Sequence, residues 1–146
     1  MANRFLVAGA ALTAIGALLH VGCVIFGPSW YRFFGAGERM AHLAAVGSPV
    51  PTAFAVGIAA VLALWAAYAL SGAGVIPRLP LLRVALCVIA GIYVLRGLAG
   101  FGLAAFAPGE RSVAFWLWSS VICLGIGALY LVGTRQVWSQ LSRGAA

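Results

Sequence analysis

Long apolar runs separated by short polar breaks organise this chain. Four runs stand out, at 5–27, 51–72, 81–106 and 113–133. Each holds the ~20 residues that let an α-helix cross a hydrocarbon core of ~30 Å. Little chain is left over, so residues 1–146 read as one polytopic membrane domain with no soluble domain attached. Between the second and third runs, SGAGVIPRLP supplies the Gly and Pro residues that stop one helix and start the next. APGERS does the same between the third and fourth. Such short connections make sequential helices antiparallel neighbours, which predicts an all-α, up-down-up-down four-helix bundle.

The first connection, PSWYRFFGAGERMAHLAAVGSPV, is much the longest. Trp30, Tyr31, Phe33 and Phe34 are the amphipathic and aromatic side chains that settle at a headgroup interface. Ser29 is placed to cap a helical turn there, and Gly35 with Gly37 to break it. Glu38 and His42 stand four apart, on one face if helical. The connection is expected to lie on the membrane or to fold back over the bundle mouth. At the other end of the first run, MANRFLVAGAALTAIGALLHVGC has the shape of a signal peptide. However, His20 stands three before Cys23, where a lipoprotein processing site wants Leu. The apolar stretch also continues through Val24, Ile25 and Phe26, so the segment reads as a retained first helix.

Polar residues within the runs fall at helical spacing. Gly9, Thr13, Gly16 and His20 share one face of the first helix; Ala90, Tyr93, Arg96 and Gly100 share one face of the third. Trp116, Ser120, Cys123, Gly127 and Tyr130 do so in the fourth, whereas the second offers little beyond Gly57, Trp65 and Tyr68. Stripes of small and polar side chains meet other helices rather than lipid. At 1.5 Å per residue, His20 and Ser120 lie ~10 Å and Arg96 ~15 Å below the same end of the bundle. His20, Tyr93, Arg96, Ser119 or Ser120, with Glu38 and His42 from the loop, are therefore expected to converge in one ligand-binding pocket in the outer half.

Composition sharpens this reading. The chain is 64% hydrophobic and 8% charged, with mean hydropathy +1.10; soluble domains carry about a quarter charged residues. The net charge of +7 comes from nine arginines and no lysine, scattered singly rather than clustered. That spacing excludes a nucleic-acid patch and makes membrane lipid the expected partner. Arg4, Arg78, Arg83, Arg135 and Arg143 fall on one side of the four runs; Arg32, Arg39 and Arg111 fall on the other with both acids, Glu38 and Glu110. The excess predicts that both termini are cytoplasmic. A lysine-free, Ala/Gly/Arg-rich composition suggests a high-GC bacterium and hence its inner membrane.

Arg96 is the residue that asks for an explanation. A guanidinium near the middle of a span costs about 2.5–3.5 kcal/mol on insertion scales. Pairing with Glu38 or Glu110, solvation by Tyr93, Ser120 and helix carbonyls as a structural lock, or an anionic ligand headgroup bound bidentately would each offset it. Other chemistry is sparse. Cys23, Cys87 and Cys123 form no CxxC and read as buried small residues. His20 with Cys23 lacks a third metal ligand, and His42 is poorly placed to share a haem with His20. No cofactor is expected.

The stretch GERMAHLAAVGSPVP is loosely similar to a motif of the membrane-associated eicosanoid and glutathione metabolism family, whose members are four-span proteins of about this length. Glu38, Arg39, Ala41, His42 and Pro51 echo that motif, and Arg96 after Tyr93 is a further echo. The spacing is shorter, Ala44 stands where that family has Asn, and no second Glu follows, so glutathione chemistry is not carried over. More broadly, the chain resembles small four-span bacterial membrane proteins, which implies a fold and no activity. The leading expectation is a protein that binds or transports an amphiphilic or anionic small molecule. A membrane enzyme with His20 as general base and Arg96 as charge stabiliser comes second, for want of a carboxylate pair, HExxH, phosphate loop or GxSxG turn. An accessory subunit is third, and the glycine-lined faces also permit a homo-oligomer.

Overall fold

The computed structural model describes residues 1–106, 109 and 111–142; Glu110 and Arg143 lie outside the described residues. Six helices follow in order: α1 (Arg4–Phe26), α2 (Pro28–Phe33), α3 (Glu38–Ala45), α4 (Pro49–Gly72), α5 (Leu82–Phe106) and α6 (Val113–Ser142). No strand occurs among the described residues. Local chemistry sets the ends. The Asn3 carboxamide oxygen accepts from Leu6 N (3.0 Å) and Ser112 Oγ from Phe115 N (3.1 Å), opening α1 and α6 with side-chain caps. Ser48 caps α4, with Pro49 at its first helical position. Gly27 ends α1 at φ 71° and Pro28 starts α2 directly, so Ser29, expected as a cap, is already inside the helix. Gly35 and Gly37, at φ 71° and 94°, break the chain between α2 and α3.

The fourth apolar run ends at Gly133, yet α6 continues to Ser142. GTRQVWSQLS contains no Pro to stop it, and Arg78 of the α4–α5 connection donates to the Gln140 and Leu141 carbonyls that would otherwise be left open. That connection is itself pinned. Ser71 Oγ donates to the Pro77 carbonyl (3.0 Å) and accepts from Leu79 N (2.9 Å).

α1 packs chiefly on α4 and α5 on α6; the α1–α6 seam joins the two pairs, and α4 meets α5 more lightly. Asn3 marks one end of the bundle. Its N–H donates to the Ala73 carbonyl (3.1 Å) and its Nδ2 to Gln136 Oε1 (2.8 Å), gathering the start of α1 with the ends of α4 and α6. At the opposite end, Gly35 lies so close to the Phe115 ring that a Cβ there would sit 2.2 Å from it, which seats the α2–α3 segment against the start of α6.

Side-chain size is distributed in an inverted way. Ala10, Ala17, Ala55, Ala59, Ala66, Ala69 and Ala90 are buried, whereas Leu18, Ile25, Phe54, Leu95 and Trp118 are 60–71% exposed. A water-soluble bundle would place those large residues inside, because an exposed apolar band of this extent is far beyond what soluble monomers carry. Small residues at the seams let backbones approach, and the aliphatic exterior is what hydrocarbon tolerates. Four helices this long and apolar suggest a multi-pass membrane protein.

Candidate functional site

Two polar clusters occupy the interior. The first links all four long helices. Tyr130 Oη on α6 donates to the Trp65 carbonyl on α4 (3.2 Å). Thr13 Oγ1 on α1 lies 3.2 Å from Tyr130 Oη and 3.1 Å from Tyr93 Oη on α5. Each hydroxyl has one proton. Since that of Tyr130 goes to Trp65, Thr13 donates to Tyr130 and Tyr93 donates to Thr13. The chain therefore runs in one direction, Tyr93 to Thr13 to Tyr130 to the Trp65 carbonyl. Gly9 makes room for it, with a Cβ there only 3.0 Å from the Tyr130 ring. Trp65 stacks edge-on to Tyr93 at 5.4 Å. Every proton is used, so this cluster is a finished tie between helices.

The second cluster is not finished. Arg96 projects from α5 into the α5–α6 seam, half-buried. Its Nη2 makes a long contact to Ser119 Oγ (3.5 Å), and the guanidinium carbon lies 5.2 Å from the centre of the Trp116 ring. Arg111 approaches the same ring at 5.3 Å, so Trp116 receives two cations. Ser119 Oγ donates in turn to the Trp116 carbonyl (3.2 Å). Two atoms here are buried without a partner, Arg96 Nη1 and Ser120 Oγ. Both converge on the bare face of Gly100, where a Cβ would meet Ser120 Oγ at 2.1 Å and Arg96 Nη1 at 2.9 Å. An unpaired buried donor costs ~1–3 kcal/mol, more when charged.

Arg96, Ser119 and Ser120 are thus brought together; the other expected site residues go elsewhere. Tyr93 belongs to the first cluster, although it lies only three residues from Arg96. His20 turns back on its own helix, Nδ1 donating to the Gly16 carbonyl (2.8 Å). Glu38 opens α3 and takes both its carboxylate oxygens to Arg32 Nε at 3.0 Å, on the exposed surface. His42 is exposed in the last turn of α3. Of the expected interfacial aromatics, Phe33 is 79% exposed, whereas Tyr31 is only 5% exposed and packs with Cys23, Ala41 and Ala55. Trp30 stacks on Phe26 (4.4 Å) and covers Gly22; Phe34 packs beside them.

Trp116 is a site residue that sequence reasoning placed only in a packing stripe. Its signal was present, since it stands four before Ser120 on the same face. A metal cluster of three or more His, Cys, Asp or Glu is absent among the described residues. The chemistry open to the site is anion binding. It has a full positive charge, a neighbouring hydroxyl and unused donors, and among the described residues no carboxylate pairs with Arg96. No protein-family model, curated protein or solved structure matches the chain.

Proposed function

We propose that this chain is an up-down-up-down membrane protein with cytoplasmic termini, and that its outer half binds or transports an anionic amphiphile. The headgroup sits on Arg96 in the α5–α6 seam, with Ser119 and Ser120 beside it and the tail along the apolar helices. One observation carries this reading: Arg96 Nη1 and Ser120 Oγ are both buried without partners, in a seam so close at Gly100 that a headgroup reaches them only where α5 and α6 part. A carboxylate or phosphate supplies the acceptors and the countercharge that the described residues do not, and a guanidinium is the side chain best shaped to hold either bidentately. Retaining an unneutralised guanidinium at this depth is costly, and such residues mark functional positions by default.

A second reading rests on the contacts that Arg96 does make. Through Ser119 and the Trp116 face it ties α5 to α6, and that tie alone would be a structural role. Native mass spectrometry of protein taken gently from its own membranes separates the two, with wild type beside Arg96→Ala and Ser120→Ala. Binding predicts an anionic adduct on wild type that is lost in a folded Arg96→Ala and weakened in Ser120→Ala. An adduct that survives Arg96→Ala, or none on wild type, refutes it; an Arg96→Ala protein that fails to fold and a wild type without adduct establish the structural tie.

A further inference from the structure

A cavity of about 950 Å³ lies at the other end of the bundle, opening where α1 begins and α4 and α6 end. This is within the size range of small-molecule sites. Its polar lining comes from Asn3, Arg4, Ser71, Arg78, Gln136 and Gln140. We propose that this cleft is a second binding site, for a phosphate-type anion, and that its natural occupant is the headgroup of an anionic phospholipid. The inference is independent of the Arg96 reading, since it uses different residues at the opposite end.

Charge is the first reason. Among the described residues no acid lines the cleft, and Glu38 opens α3 at the far end. Among the described residues no carboxylate pairs with Arg4 or Arg78. Arg78 spends two donors on the Gln140 and Leu141 carbonyls. Those partners are neutral, so its charge stays uncompensated, and three of its five N–H groups remain for a ligand.

The direction of the hydrogen bonds is the second reason. Asn3 is fixed from both sides, its oxygen accepting from Leu6 N and its Nδ2 donating to Gln136 Oε1. That engagement takes up the Gln136 oxygen as an acceptor and leaves its NH₂ as a donor. The Ser71 hydroxyl is likewise occupied in both directions, by Pro77 and Leu79. What the cleft offers is therefore mostly N–H donors beside two guanidiniums, the complement of a phosphate oxygen set. Position favours a lipid source. The cleft sits at the ends of helices long enough to span, where a headgroup lies and where juxtamembrane arginines attract anionic lipid.

The test uses the full chain in phosphatidylcholine nanodiscs, which present one lipid composition at both ends of the bundle. Phosphatidylglycerol is titrated in and bound lipid is read by native mass spectrometry, for wild type, Arg4→Gln and Arg135→Gln. Arg135 lies near the same end of α6 but outside the lining. Expected is a preference for phosphatidylglycerol that weakens about fivefold in Arg4→Gln and is unchanged in Arg135→Gln. In a second arm, inorganic phosphate competes. Displacement shows that the phosphate alone is recognised, and its failure shows that the lipid part is required; both keep the site. Equal losses in Arg4→Gln and Arg135→Gln mean diffuse attraction only and overturn the proposal, as does a wild type without preference for phosphatidylglycerol over phosphatidylcholine.

Discussion

Thr13→Val tests whether the inner hydroxyl chain has the direction assigned to it. The substitution keeps the β-branched shape and removes only the oxygen that accepts from Tyr93 (3.1 Å) and donates to Tyr130 (3.2 Å). Tyr130 keeps its own donation to the Trp65 carbonyl and loses nothing costly. Tyr93, however, is left with a buried hydroxyl proton and no acceptor, which costs ~1–3 kcal/mol. Tyr93→Phe cuts the chain at its donor end and strands no proton. Its expected cost is that of one membrane hydrogen bond, about 0.6 kcal/mol. Tyr130→Phe falls between the two, because the Thr13 hydroxyl can rotate to the carbonyl four residues back. The double variant Thr13→Val/Tyr93→Phe removes the stranded donor along with its partner. It is therefore expected to be more stable than Thr13→Val alone, by ~1 kcal/mol. Reversible unfolding in mixed micelles by added SDS, followed by far-ultraviolet circular dichroism, measures all four. Equal costs for Thr13→Val and Tyr93→Phe, or a double variant whose loss is the sum of the singles, would refute the assigned direction.

At the site itself, Gly100→Ala forces a methyl onto Ser120 Oγ and Arg96 Nη1. It is expected to destabilise by ~1–3 kcal/mol in the same unfolding assay through overpacking. The Arg32–Glu38 pair is exposed on both sides, 50% and 71%. Arg32→Gln is thus expected to cost under ~1 kcal/mol at low ionic strength. That cost should shrink when unfolding is repeated in concentrated salt.

The four long helices were legible because their apolar runs are bounded by Pro, Gly and capping side chains, and little else competes for the assignment. The interior stripes were legible for a related reason. With so few polar groups per run, Thr13, Tyr93, Ser120 and Tyr130 declare a face by their spacing alone, and those faces are buried. Which stripe residues meet was a different matter. Tyr93 and Arg96 are three apart, so they differ by about 60° in direction and ~4.5 Å in height. That modest offset sends one to the centre of the bundle and the other into the α5–α6 seam. Spacing along one helix cannot express it, because it depends on where the neighbours stand. The same limit applies to Tyr31 and Trp30. Their composition suited a membrane surface, but the bare patch at Gly22 and the small side chains of Ala41 and Ala55 drew them inward. The cleft at the opposite end is built from residues near 3, 74 and 136, and no local pattern joins those segments.

The α1–α6 seam bears on how the chain comes off the ribosome. α5 and α6 are consecutive and can pair as soon as both have emerged, but the first helix meets its partners on α6 only at the end of synthesis. Those partners, Tyr130, Gly133 and Gln136, all lie in the second half of α6. Until then α1 has α4 as its main neighbour, its Thr13 unbonded to the last helix and its Gly9 uncovered by Tyr130. A nascent or prematurely terminated chain therefore exposes a glycine-lined, hydroxyl-bearing face that only the completed α6 covers.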